Sequence, residues 1–319
     1  MLKKFVLASL FTITLGIGAL IAFLYLAPET FTRIAVGAAR SGAGLTRKEI
    51  ILPSGDHYVY LDGGQGETLL LLHGFGGNKD NFIQIAPYLI KHYHLIIPDH
   101  LGFGESGHPA EADYGPDAQA ERLHGLMQAL GFKGPVHVGG NSMGGLISLH
   151  YGLHYPAETA SLWLLDPAGA SSAPQTNFIK AAINSPRNPL LVGSTDDLVY
   201  LISQAASKPP FIPGPMLQVF AKERINNLEL EKKIFTRLFN NHTEERVKGL
   251  TVPTLIVWGD EDKLLSLAGA EIMHKLLPNS QVILMRGIGH MPMIESPKQT
   301  AADFLQFQAS HQASVKPAS

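Results

Sequence analysis

The pattern of apolar and polar positions divides the chain into three stretches. From Phe5 to Ala27 nearly every position is apolar, and the only hydroxyls are Ser9, Thr12 and Thr14. As a helix this run reaches roughly 34 Å, against about 30 Å for a bilayer hydrocarbon core. Residues 28–48 read as a short, partly amphipathic connector containing Gly37, Gly42 and Gly44. From 49 to about 310, short apolar runs alternate with helical patterns.

Within that third stretch, Ile50–Leu52 and His57–Leu61 predict two strands flanking a turn at Ser54-Gly55-Asp56. Thr68–Leu72, His94–Ile97, Val136–Val138, Leu162–Leu165, Thr254–Trp258 and Gln281–Met285 predict further strands. Helical patterns around Phe82–Ile90, Asp117–Leu130 and Gly144–His154 lie between them. Continuous apolar strands alternating with helices imply an α/β domain, a mostly parallel sheet with helices on both faces. The alternation stops between 169 and 250, where Pro174, Pro186, Pro189, Pro209, Pro210, Pro213 and Pro215 cluster. Helices are expected near Asp196–Ser207 and Met216–Phe239, with no buried strand. This segment reads as a helical cap inserted between core parts at 49–168 and 251–310. The polar tail, 311–319, is expected to be disordered.

The N-terminal run changes the cellular picture. Lys3 and Lys4 precede it, which places the N-terminus in the cytoplasm and the rest of the chain across the membrane. A cleaved signal has an apolar region of about 7–15 residues and a small-x-small cleavage site. This run is longer, and Tyr25-Leu26-Ala27-Pro28 is a poor site, so an uncleaved anchor over 1–27 is favoured over a cleaved signal or a buried core helix.

Composition narrows the chemistry. The 319 residues are 45% apolar, enough for a sizeable core. A net charge of -2 and the lack of basic clusters interleaved with aromatics exclude nucleic acid as an expected partner. With no cysteine there are no disulfides, thiolate zinc sites or cysteine nucleophiles. The 14 histidines are scattered, and no His-x-x-x-His pair stands near a third plausible ligand in sequence. Neither a metal nor another cofactor is expected.

Candidate chemistry centres on Gly140-Asn141-Ser142-Met143-Gly144. This is Gly-x-Ser-x-Gly with a strand before it and a helix after it, the setting of a serine nucleophile on a sharp turn. A serine hydroxyl needs a base. His290, in Gly287-Ile288-Gly289-His290, follows the last predicted strand and is better placed than His154, His242 or His274. Three carboxylates compete to orient it: Asp260 and Asp262 after one strand, and Asp166 after another. In His73-Gly74-Phe75-Gly76-Gly77 the glycines free backbone N–H groups, and those of Phe75 and Met143 are the natural oxyanion donors. His73 is read as a structural support of that loop. Asp99–Ser106 is a second Gly-rich loop. It lacks Gly-x-Gly-x-x-Gly and a following Lys, so it reads as a turn shaping the site floor rather than a phosphate cradle.

Together these residues resemble the α/β-hydrolase family over about 49–309. The resemblance rests on ordered motifs: His-Gly-Phe-Gly-Gly, Asp-x-x-Gly-x-Gly-x-Ser, Gly-Asn-Ser-Met-Gly-Gly, Trp-Gly-x-x-Asp and Gly-x-Gly-His. It implies the α/β-hydrolase fold, and it selects Asp262 as the acid, because Asp262 matches the carboxylate of Trp-Gly-x-x-Asp. The N-terminal run, Asn78-Lys79-Asp80 and Asp166-Pro167-Ala168-Gly169 are similar to bacterial lipases and esterases and to membrane-anchored monoacylglycerol lipases. The carbon–carbon bond hydrolases of aromatic ring cleavage share Gly-Asn-Ser-Met-Gly-Gly but tend to carry Trp after the histidine, where Met291 stands here. Dehalogenases and epoxide hydrolases use Asp at the nucleophile position, unlike Ser142.

The resemblance implies acyl transfer from a lipid or other small ester to water, with monoacylglycerols or medium-chain esters as the expected substrates. Phe178, Ile179, Leu191, Phe211, Met216 and Phe220 of the cap are the expected acyl-chain contacts. A non-catalytic ligand receptor on the same fold is the alternative from another class. The expected location is the bacterial inner membrane, with the catalytic domain on the periplasmic side.

Overall fold

The computed structural model describes residues 2–238 and 241–315, with side chains described from Ile13 to His311. In chain order the helices are α1 (Leu2–Leu26), α2 (Pro28–Gly42), α3 (Ala86–Leu89), α4 (Pro116–Ala129), α5 (Met143–His154), α6 (Asn177–Asn184), α7 (Thr195–Ala205), α8 (Gly214–Asn226), α9 (Leu228–Arg237), α10 (Thr243–Val247), α11 (Ala268–Leu276), α12 (Pro292–Glu295) and α13 (Pro297–Val315). The strands are β1 (Thr46–Ile51), β2 (His57–Gly64), β3 (Glu67–Leu72), β4 (Tyr93–Pro98), β5 (Val136–Asn141), β6 (Thr159–Leu165), β7 (Thr254–Gly259) and β8 (Ser280–Met285). They form one sheet in the order β1-β2-β4-β3-β5-β6-β7-β8. Pairing is antiparallel for β1 with β2 and for β2 with β4, and parallel elsewhere.

The strand sequences explain the layering. Leu70, Leu72, Val138, Leu162, Leu164 and Ile256 point to one face and pack with Leu123 of α4 and Ile147 of α5. Leu69, Leu71, Leu95, Trp163, Leu165 and Val257 point to the other and pack with Leu89 of α3 and Phe304 of α13. Both faces are therefore covered, which is why the central strands read as unbroken apolar runs. Trp163 stacks on Phe304 with ring centroids 4.3 Å apart.

Among the described residues, five helices, α6 to α10, lie between β6 and β7. The helical pattern over Met216–Phe239 divides at Asn227 into α8 and α9. Asn227 donates its side-chain N–H to the Gly102 carbonyl at 2.7 Å, tying this break to the sheet's loop edge. Phe239 lies outside the described residues.

Three other segments differ from the pattern-based reading. The connector at 28–48 is mostly the helix α2, which starts at Pro28, a residue suited to the first helical turn. It is followed by β1, whose Thr46-Arg47-Lys48-Glu49 start is polar because it is an exposed edge. The helical pattern at 82–90 is only a 3-10 turn, Lys79–Phe82, and the single turn α3. The tail expected to be disordered from 311 is helical to Val315, and 316–319 lie outside the described residues.

The apolar run Phe5–Ala27 falls largely within α1. Ile13, Leu15, Ile17, Leu20, Ile21 and Leu26 are all exposed there. Among the described residues no single helix is long and apolar enough to cross a membrane. Ile13–Leu26 and Pro28–Gly42 meet that test only together, and they are bent by 115°.

Candidate active site

The turn after β5 holds Ser142 at φ 56 and ψ -114. A non-glycine residue in this region stores about 1–3 kcal/mol of backbone strain, which the surroundings must hold. Here the Ser142 N–H donates to the Leu165 carbonyl at 3.0 Å, and the Ser142 carbonyl accepts from Leu146 and Ala168, each at 3.0 Å. The flanking glycines permit the crowding. A Cβ on Gly140 would sit 2.3 Å from the Gly144 backbone, and one on Gly144 would sit 2.1 Å from the Leu72 carbonyl oxygen.

His290 follows β8 on a loop that passes over β7. Its Nδ1 is 2.8 Å from Asp262 Oδ2. Asp262 Oδ1 accepts from the N–H groups of Leu264 and Leu265 at 2.8 and 3.0 Å, so the carboxylate is oriented from both ends. Because the Asp262 carboxylate can only accept, Nδ1–H is the donor and Nε2 is left as the basic nitrogen. Asp260 does not touch the imidazole; its carboxylate accepts from Gly287 N–H at 2.7 Å and steadies the start of the histidine loop. Asp166 is buried beside the pair, with Oδ1 accepting from Gly259 N–H at 2.8 Å.

Two further residues fix the histidine loop, and sequence reasoning missed both. Asn141 donates to the His290 carbonyl at 2.9 Å and to the Leu165 carbonyl at 3.1 Å. Glu295 accepts from Gly289 at 3.0 Å with one oxygen and from Ser207 and Lys208 at 2.8 and 3.1 Å with the other. His290 N–H donates to the Ala205 carbonyl at 2.7 Å, so the C-terminal end of α7 is bonded directly to this loop. Asn141 is the residue before the serine in Gly-x-Ser-x-Gly, and that position was the available signal. Glu295 carried none.

The loop after β3 runs against Ser142: a Cβ on Gly74 would lie 3.3 Å from Ser142 Cβ. Phe75 and Met143 sit on either side of this contact, and among the described residues neither N–H has a partner within the chain. His73 is fully buried; its Nδ1 is 2.8 Å from the Gly74 carbonyl, and its Nε2 accepts from His100 N–H at 3.0 Å. Burial holds its ring below the ordinary histidine range, so it stays neutral and keeps both bonds. From the opposite side Arg224 of α8 covers Gly76, lies 5.9 Å from the Phe75 ring centroid, and is fixed by Glu231 at 2.6 and 2.8 Å.

The same loop is anchored by a buried ion pair. Lys79 Nζ lies 2.7 Å from Asp99 Oδ2 and 2.8 Å from Glu105 Oε1, and the Lys79 N–H donates to Asp99 Oδ1 at 2.7 Å. The Lys79 and Asp99 side chains are 1% and 0% exposed. Burial alone would raise the Glu105 carboxyl, but hydrogen bonds from Lys79 and Arg47 bring it down to about 2. Asp99–Ser106 is thus a turn bound to the loop after β3. Lys79→Met leaves the Asp99 carboxylate buried without its cation, and the expected loss is about 3–5 kcal/mol in urea denaturation. A loss of about 1 kcal/mol or less, typical of an exposed pair, would contradict this account.

The cap residues divide. Phe178 and Phe220 pack in one cluster with Leu198, Leu201 and Leu264, and this cluster reaches Met291 beside His290. Phe178 also lines an open cavity of about 840 Å³, together with Ala181, Tyr200, Gln204, Arg187 and Lys263. Its wall includes Lys263, next to Asp262, while Ser142 and His290 are not among its lining residues. Ile179, Leu191 and Met216 are half-buried. Phe211, by contrast, is 92% exposed and lies outside the cap's apolar cluster. It sits in Pro209-Pro210-Phe211-Ile212-Pro213, where the prolines fix the backbone and forbid helix, so the apolar ring has no face to join.

One pair of histidines also needs correction. His150 and His154 are a His-x-x-x-His pair, and folding brings Asp117 to 2.8 and 2.5 Å of them. Arg246 donates two bonds to the same carboxylate, at 2.7 and 2.9 Å. The guanidinium already supplies the positive charge a cation would bring, so the cluster reads as an ion-pair brace between α4, α5 and α10.

Comparison with known proteins places this geometry. The family profile described as alpha/beta hydrolase fold matches residues 67–192 and 200–297. The chain is 46% identical over 313 residues to Lipase 3 of Moraxella sp. (strain TA144), covering 97% of this chain and 98% of that protein. It is 30% identical over 261 residues to the monoacylglycerol lipase ABHD6 of Bos taurus, covering 77% of each. Among solved structures, a membrane phospholipase A described as a novel bacterial virulence factor superposes with a TM-score of 0.86 at 31% identity, covering 97% of this chain and 99% of that one. With its sheet order, its strained serine turn and its family profile in agreement, the chain belongs to the α/β-hydrolase family.

Proposed function

We propose that the protein is a lipase-type serine hydrolase that cleaves carboxylic esters of lipids. The observation that carries this reading is the strained turn that presents Ser142 beside the Gly74 loop, with the bonded pair His290–Asp262 nearby. His290 Nε2 takes the Ser142 hydroxyl proton as Oγ attacks the ester carbonyl carbon. The carbonyl oxygen gains the negative charge and accepts from the Phe75 and Met143 N–H groups. Asp262 stabilises the imidazolium. The tetrahedral adduct collapses, the imidazolium protonates the leaving alcohol, and an acyl-enzyme remains. Water then repeats the sequence and releases the fatty acid and free Ser142.

Similarity to lipases and to a monoacylglycerol lipase supports an acyl ester substrate. The apolar cluster of the cap, which runs to Met291, supports an acyl chain rather than a polar one. The exposed apolar side chains of α1 support membrane association of the N-terminal segment, and the likeness to a membrane phospholipase A agrees with it. In this reading Lys3 and Lys4 remain cytoplasmic and the hydrolase domain faces the periplasm.

A panel of monoacylglycerols and p-nitrophenyl esters of graded chain length tests the substrate class. Turnover is expected, with the highest kcat/KM on monoacylglycerols or medium-chain esters. No turnover across the panel, with hydrolysis of a ring-cleavage dienoic acid instead, would overturn it.

A further inference from the structure

Asp166 directly follows β6 with φ 44, and its side chain is completely buried. One carboxylate oxygen of Asp166, one of Asp262 and one ring nitrogen of His290 lie within 4.8 Å of one another. Two carboxylates this close in a buried site do not both ionise. The donors decide which one carries the charge. Asp262 faces three N–H groups, those of His290, Leu264 and Leu265. Asp166 receives one, from Gly259, and its Oδ2 is buried with no donor in reach.

We propose that Asp166 is a positioning residue of the relay, a neutral carboxylic acid whose proton is donated to the Asp262 carboxylate. A proton on Asp166 Oδ2 turns an otherwise unpartnered oxygen into a donor and gives Asp262 a fourth hydrogen bond. The titratable groups that face Asp166 are Asp262, His290 and, with a weaker effect, Glu295. Burial first, then the Asp262 charge, hold the Asp166 carboxyl well above the ordinary aspartate range. The donated bond draws negative charge away from the Asp262 oxygen that meets His290, so the imidazolium is stabilised less. This inference rests on the Ser142–His290–Asp262 relay proposed above.

The test is the pH profile of kcat/KM in two variants of the full chain. Asp166→Asn keeps a donor toward Asp262, and its acid limb is expected to coincide with that of the unmodified protein. Asp166→Ala removes the donor, restores full charge on Asp262, and is expected to move the acid limb up by about one pH unit. An unmoved limb in Asp166→Ala, or an equal shift in both variants, would overturn the proposal. Where Asp166→Ala does not fold, thermal denaturation of Asp166→Asn decides. Unfolded Asp166 loses its proton above about pH 4, whereas the folded group keeps it, so the contribution of this group to stability falls as pH rises in the unmodified protein and is absent from the Asn variant. The stability advantage of Asp166→Asn is expected to grow from acid to neutral pH; an advantage that does not change with pH would overturn the proposal. A fully active Asp262→Asn would instead overturn the relay itself, so the two failures are distinguishable.

Discussion

Ser142→Ala lowers kcat/KM on a short-chain ester by about a million-fold and leaves the fold intact. The size follows from the division of labour at the site. Without the hydroxyl no acyl-enzyme forms, and only the oxyanion donors and substrate binding remain, which in serine hydrolases retain about a thousandfold advantage over water. Removing one exposed-side hydroxyl creates no cavity of consequence. The φ of 56 is strained for Ala as it is for Ser, so the bonds from Leu146 and Ala168 hold the turn in either case. The expected result is a lost kcat with an unchanged melting temperature. A residual activity within about tenfold of the unmodified enzyme would mean that another group attacks.

Asp262→Asn costs about 10⁴ in kcat. The carboxamide fits the space but reverses the pattern of donors. Asp262 Oδ2 now meets His290 Nδ1 at 2.8 Å, and an amide NH₂ there would force Nδ1 to become the acceptor. The ring would then carry its proton on Nε2 and lose its role as base. The bonds from Leu264 and Leu265 to the other oxygen would survive, so stability is expected to change little. Steady-state kinetics together with thermal denaturation separate these effects. A large loss of stability with little loss of kcat would make Asp262 a structural brace.

Local chemistry is legible in the sequence where a short segment settles its own geometry. The strand, Gly-x-Ser-x-Gly turn and helix around Ser142 are contiguous, and steric crowding at Gly140 and Gly144 permits few other residues. The buried strands are legible because both faces of the sheet are covered, as the leucines of β3 illustrate. What depends on distant partners is not. Asn141 reaches the His290 carbonyl across 149 positions, and Glu295 binds the end of α7 from 88 positions away. Asp117 reaches the His150–His154 pair only after α4 packs on α5. Apolar composition alone also fails to give direction. Phe178 is buried in a cluster with Leu264, while Phe211, equally apolar, is exposed in a segment whose backbone prolines fix. The helix α2 was hidden by a mixed sequence that becomes amphipathic only at helical spacing, and its Glu29 meets Lys222 of α8 at 2.6 Å.

The central claim is that Ser142 is the nucleophile of an ester hydrolase. Reaction of the full chain with a fluorophosphonate, followed by peptide mass spectrometry, tests it most directly. The account predicts one stable adduct, on Ser142 Oγ, abolished in Ser142→Ala and in protein pre-loaded with a slow acyl ester. An adduct on another residue, or undiminished labelling of Ser142→Ala, would contradict it.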